Sequence, residues 1–204
     1  MAKYKKVSSQ LTTLENLLSY KYITNSYKLF WYRSLISTSN DKKNKVSIHD
    51  LGLNMIVHAW ELVAVKEITF GRLDKLHRVI ELILDQYHFP TTSTIEEVKA
   101  FLPTIKDKEI LELIEEISEE ACHEFIAPLY EQKLKKVNFN KRHTTVATLS
   151  LENATAPYSI NSEKNNIQIH PEWSAYFTKN TKEALNLFHD SLAFFLDRHA
   201  MSKK

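Results

Sequence analysis

The sequence predicts a mainly α fold: a multi-helix bundle with one small β-hairpin between an acidic middle and the C-terminal helices. Three observations lead there. Apolar residues recur at spacings of three and four through most of the chain, which gathers them on one helical face. Glycine occurs only at positions 52 and 71 of 204 residues, too few for the tight turns of a multi-stranded β-protein or for a glycine-rich phosphate loop. Near the C-terminal third the pattern changes to short β-prone runs broken by turn residues.

Taken in order, Leu11, Leu14, Leu17 and Leu18 form a first short stripe. A second helix is expected to start at Thr24 or Asn25, either able to cap, and to carry Tyr27, Phe30, Trp31 and Leu35. The polar stretch 37–45 reads as a loop. Ser47 is placed to cap a helix with Ile48, Leu51, Met55, Ala59 and Leu62, and Phe70-Gly71 reads as a break. Leu73, Leu76, Ile80, Ile83, Leu84 and Tyr87 make the cleanest stripe, stopped before Pro90. Ser93 or Thr94 caps a short helix with Ile95, Val98 and Phe101 that Pro103 ends. Asp107 starts one with Ile110, Leu111, Ile114, Ile117 and Ala121 inside and glutamates outside. Pro128 ends or kinks that helix, because proline removes a donor and clashes with the preceding turn.

Residues 144–149, Thr-Thr-Val-Ala-Thr-Leu, are β-prone, and Tyr158-Ser159-Ile160 faces Ile167-Gln168-Ile169 across turn-rich 161–166 as a hairpin. His170-Pro171-Glu172 opens a helix lined by Trp173, Tyr176 and Phe177, with proline in its first turn. Thr181 caps the last helix, which carries Leu185, Phe188, Leu192, Phe195 and Leu196. The natural division is residues 1–137, a helical bundle, and 138–204, the hairpin with two C-terminal helices, the two packed as one globular unit.

Composition narrows the class. Apolar residues make up 43% and charged residues 25%, near globular averages. The single cysteine, Cys122, forms no internal disulfide and no cysteine zinc site, which fits a reducing compartment. The opening MAKYKKVSSQ lacks the apolar core of a secretory signal, and no run approaches the length of a membrane span. The expected location is the cytoplasm, with no membrane contact. Net charge is only +2, but it is sorted along the chain. Residues 1–45 carry nine Lys or Arg against Glu15 and Asp41; residues 96–131 carry eleven acids against Lys99, Lys106 and Lys108. Then Lys133, Lys135, Lys136, Lys141 and Arg142 follow with no acid among them.

Several chemistries were weighed on spacing. A helical zinc site wants two histidines four apart, and none of the nine histidines is so paired. Cys122-His123-Glu124 is contiguous, so its side chains diverge around a helix; single histidines read as surface or hydrogen-bonded core residues. Glu97-Val98-Lys99 has the E-x-K spacing of a metal-dependent nuclease class, but that class needs a strand and this segment reads as a helix start. Cys122 beside His123 lacks the geometry that activates a thiolate and reads as a small buried hydrophobe. Trp31, Trp60 and Trp173 with Tyr27, Phe30 and Phe177 read as core rather than a ligand box, and the glutamates of 112–120 as a solvated face. The surviving candidate is nucleic-acid binding by Lys133, Lys135, Lys136, Lys141 and Arg142, with Phe139 among them, His143 beside them and Lys3, Lys5 and Lys6 as an added basic patch. No catalytic constellation, cofactor or metal site is expected.

Four stretches in order carry a family resemblance. Asn25-Ser26-Tyr27-Lys28-Leu29-Phe30-Trp31, then Ile56-Val57-His58-Ala59-Trp60, then Thr69-Phe70-Gly71 with Asp74 and Leu76, and finally Tyr158 through His170-Pro171-Glu172-Trp173 to Phe177 resemble the region upstream of the nuclease domain in a group of bacterial HNH-endonuclease-domain proteins. The acidic middle is unmatched. In that family the nuclease follows the last helix as a ββα metal finger; here the sequence reaches Lys204 just after Arg198-His199 without one. The resemblance therefore assigns no catalytic residue. It implies a non-catalytic accessory or recognition module of a defence or restriction-type system, freestanding or part of something longer, with duplex DNA or a separately encoded nuclease as its partner. The alternative is a protein-interaction subunit that binds no nucleic acid. A third reading is an enzyme assembled from distant residues such as Asp85, Glu97, His123 and His189.

Overall fold

A computed structural model describes the backbone of residues 2–201 and the side chains of residues 9–198. The elements are α1 (Ala2–Leu17), α2 (Tyr27–Asn40), β1 (Lys45–Ser47), α3 (Ile48–Trp60), α4 (Lys75–Tyr87), α5 (Ile95–Phe101) and α6 (Lys108–Ile126). After them come α7 (Glu131–Leu134), α8 (Arg142–Leu151), β2 (Tyr158–Asn161), β3 (Asn166–Ile169), α9 (Pro171–Lys179) and α10 (Thr181–Met201). The mainly α fold with a small hairpin is what forms. No helix among the described residues is long and apolar enough to cross a membrane.

Helix α2 runs through the middle. Leu29, Phe30, Trp31, Tyr32, Leu35 and Ile36 are all fully buried, so apolar groups surround the helix on every side. Its neighbours are α3, α6, α9 and α10. Its buried Trp31 and Tyr32 find partners for their polar atoms, as burial demands. Trp31 Nε1–H donates to the Tyr158 hydroxyl (3.0 Å), which donates to the Cys122 carbonyl (2.6 Å). Tyr32 donates to the Ala184 carbonyl (3.1 Å). The large aromatics thus form core, as their spacing predicts.

Local rules set most boundaries. Ser47 caps α3 by accepting from Asp50 N–H at 2.9 Å, Thr94 makes a reciprocal capping box with Glu97, and Asp107 accepts from Ile110 N–H at 3.0 Å. Gly71 sits at φ 108°, where a side chain would be strained, and reverses the chain before α4. Gly52 serves a different end: a Cβ there would lie 1.8 Å from Ser118 Oγ, so α3 and α6 cross at this point only because it is absent.

The sheet orders as β1-β3-β2, antiparallel throughout. The expected hairpin pairs Tyr158 with Ile169 and Ile160 with Ile167. A third strand, not anticipated between the loop ending at residue 45 and the cap at Ser47, adds Val46 opposite Ile167. Strand β1 lies in the first of the two predicted segments and β3 in the second, and a single buried cluster draws residues from both.

Five local expectations are corrected. Residues 144–149 are helical, within α8. The β-branched run is held there by its Thr145 and Thr148 hydroxyls, which donate back to the Lys141 (2.8 Å) and Thr144 (3.0 Å) carbonyls, and by burial of Val146, Ala147 and Ser150. The start of α2 is flanked by Ser26, not Thr24 or Asn25, because Asp74 takes the Ser26 N–H and hydroxyl, both at 2.8 Å. Helix α2 extends through Asn40, into the stretch read as loop. Leu73 precedes the Asp74 cap of α4 and is 90% exposed, so the buried stripe begins at Leu76. Thr181 is the first residue of α10 rather than its cap, its hydroxyl donating to the Phe177 carbonyl at 2.8 Å.

Candidate functional site

Helix α6 buries Ile110, Ile114, Ile117, Ala121 and Phe125. The same periodicity leaves Glu116, Glu120 and Glu124 in one row and sets Glu119 one turn before His123. This edge forms one wall of a groove of about 640 Å³. Lys28 closes it from α2 with Asn25 just before that helix, Lys75 from α4, and Arg142 and His143 from the start of α8 with Phe139 in the turn before it.

Three of the four glutamates are engaged. Lys75 pairs with Glu116 and Glu120, and the Tyr27 hydroxyl donates to Glu120. Arg142 Nε donates to Glu124 at 2.9 Å, with Lys28 Nζ 4.0 Å away on the other oxygen. Lys28 is buried and donates to the Tyr22 carbonyl at 3.0 Å; burial lowers the pKa of its ammonium. The Glu119 carboxylate, by contrast, makes no ion pair or side-chain hydrogen bond among the described residues. It faces two imidazoles. His123 Nδ1 lies 2.8 Å from the Glu119 carbonyl, and the His143 ring stacks on His123 at 4.5 Å with 7° between planes. One ligand atom from each of Glu119, His123 and His143 lies within 4.8 Å of the others. Burial holds the His123 pKa below the ordinary imidazole value.

The basic segment borders this groove. Lys133 is on α7, Lys135 and Lys136 follow it, and Lys141 ends the short turn Phe139–Lys141. All four are exposed, and Phe139 at the groove's lip is 86% exposed. Arg142 differs: it is half-buried and committed to Glu124. The side chains of Lys3, Lys5 and Lys6 lie outside the described residues. Comparison with family models, with curated proteins and with solved structures finds no match.

The remaining candidates separate. Glu97 is spent on the cap of α5, with Lys99 on the helix itself. Cys122 is fully buried, and burial pushes its thiol well above the ordinary value, the opposite of activation. Asp85, Glu97, His123 and His189 sit on α4, α5, α6 and α10, and among the described residues only His123 of these joins a group of potential metal ligands. Sequence reasoning missed the trio of Glu119, His123 and His143. Two of its three members were legible, since Glu119 and His123 stand four apart on one helical face. His143 is 20 positions on, and only the return of the chain into α8 delivers it.

Proposed function

We propose that this chain is a non-catalytic recognition module of an HNH-nuclease-like bacterial system of defence or restriction type. In this reading it works in the cytoplasm and holds duplex DNA through Lys133, Lys135, Lys136 and Lys141. The supporting observation is their clustering: the four lie within nine positions, are all exposed, and have no carboxylate within ion-pair distance among the described residues. Exposed, unneutralised lysines in an acid-free run are available to displace counterions from phosphates. Arg142 belongs to the groove wall, so its role is to brace the segment through Glu124. The four stretches that resemble the upstream region of HNH-endonuclease proteins supply architecture: Ser26 binds Asp74, Phe30 packs on Phe70, and Trp31 bonds Tyr158.

The test is fluorescence anisotropy on a duplex of arbitrary sequence across a salt series. Four phosphate contacts give a slope of log affinity on log salt near −3.6, about −0.9 for each. Replacing all four lysines by glutamate abolishes binding; unchanged binding in that variant removes the proposed surface.

The rival reading, a protein-interaction subunit without nucleic-acid binding, has its own support in Tyr20 and Phe194. Both rings are exposed and lie 6.4 Å apart, an apolar pair suited to a protein partner, a separately encoded nuclease among them. A stoichiometric complex disrupted by Phe194→Asp, with no mobility shift on DNA, selects it.

A further inference from the structure

We infer that Glu119, His123 and His143 form a binding site for one divalent transition-metal ion, joining α6 to α8. This goes beyond the DNA-binding proposal and stands without it.

Four features of the cluster converge on a cation. First, a backbone carbonyl only accepts, so the 2.8 Å contact to Glu119 fixes the proton of His123 on Nδ1. That leaves Nε2 with its lone pair free. A ligating histidine is oriented in the same way, through its second nitrogen. Second, His123 is buried on α6, so its ring is held in place by the packing around it. Third, among the described residues the Glu119 carboxylate is the groove's one acid without a cationic partner, and it stands one helical turn from His123. Fourth, Glu116, Glu119, Glu120 and Glu124 outnumber Lys28, Lys75 and Arg142, so the groove has one negative charge in excess before an ion enters.

Two imidazoles and one carboxylate favour zinc, cobalt, nickel or iron over magnesium or calcium, which prefer oxygen alone. Metal–nitrogen bonds of about 2.0–2.1 Å bring ligand atoms to roughly 3–3.5 Å of each other. The present spacing of up to 4.8 Å therefore has to contract. The parts that must move are the ones with room. His143 is half-buried and Glu119 exposed, while the buried His123 stays fixed. Parallel rings cannot both aim a lone pair at one ion, so binding tips His143 off the face of His123. The three ligands leave coordination positions open toward the groove. Clipping α6 to α8 also closes the connector between them, which includes α7 and the turn Phe139–Lys141.

The experiment uses tag-free, chelator-treated full-length chain titrated with zinc by calorimetry and with cobalt by visible absorption. His143→Ala and Glu119→Gln serve as variants, because their side chains are outside the core. The expected result is one equivalent bound by the wild type, with a cobalt absorption band and a raised Tm. Each variant should weaken affinity by more than about tenfold. Absence of saturable binding to the wild type, or undiminished wild-type affinity in both variants, overturns the site.

Discussion

At the scale of single residues, the consequential side chains are polar groups taken out of water. Asp74 caps α4 through His77 N–H at 3.1 Å while holding Ser26 by two further hydrogen bonds. One carboxylate thus ties the start of α2 to the start of α4. Burial still raises its pKa, with those hydrogen bonds opposing the rise. His58 makes the sharper case. Its Nε2 lies 3.0 Å from Ser37 Oγ, and burial, with Arg33 and Lys99 nearby, pushes its pKa down to about 3. The unfolded chain protonates His58 near its ordinary value of 6.5, while the folded chain resists. The unfolded state therefore binds more protons between those values, and stability falls as pH drops from 6.5 toward 3. Between pH 7 and 4.5 the wild type is expected to lose about 2–3 kcal/mol more than His58→Gln. Urea midpoints at the two pH values measure this, and parallel losses in both proteins exclude His58 as the source.

Among the elements, the crossing of α3 and α6 is set by one missing methyl group. Alanine at position 52 improves helix propensity by about 1 kcal/mol, yet its Cβ would also meet Ser118 Cβ at 3.0 Å, beyond the clash with Oγ. Overpacking at such a contact costs about 1–3 kcal/mol. Gly52→Ala is therefore expected to be net destabilising in chemical denaturation, and to cost less when Ser118→Ala is also present. Equal costs in both backgrounds would place the strain elsewhere. Helix α8 teaches a related point about propensity. Its threonines are poor helix formers, yet Ser150 Oγ both donates to the Ala147 carbonyl (2.6 Å) and accepts from Ile160 N–H (2.9 Å). That bond ties the helix to β2, and tertiary packing overrides the local β preference.

On the scale of the whole molecule, the small sheet decides how the chain coheres. Val46, from the first third of the sequence, pairs with Ile167 of the hairpin, and both lie in the buried cluster. Unfolding should accordingly be one cooperative event, with calorimetric and van't Hoff enthalpies agreeing, and residues 1–137 alone should not reproduce the native spectrum. Two resolved transitions would contradict this. Charge is also distributed at this scale. The acids of α6 face the cations of α2, α4 and α8 across one groove, while the neighbouring lysines of 133–141 stay unpaired.

Periodicity, caps and proline positions determined by themselves that the chain is mainly helical, that helices begin at Ser47, at Ser93 or Thr94, and at Asp107, and that Tyr158 and Ile169 pair in a hairpin. Those are interactions between residues a few positions apart, and local pattern encodes them. Tertiary structure alone decided that 45–47 joins the sheet, that 144–149 is helical, that Arg142 turns inward to Glu124, and that His143 stacks on His123. Each depends on partners brought from distant parts of the chain, whose burial and hydrogen bonding outweigh local preference only once the fold has closed.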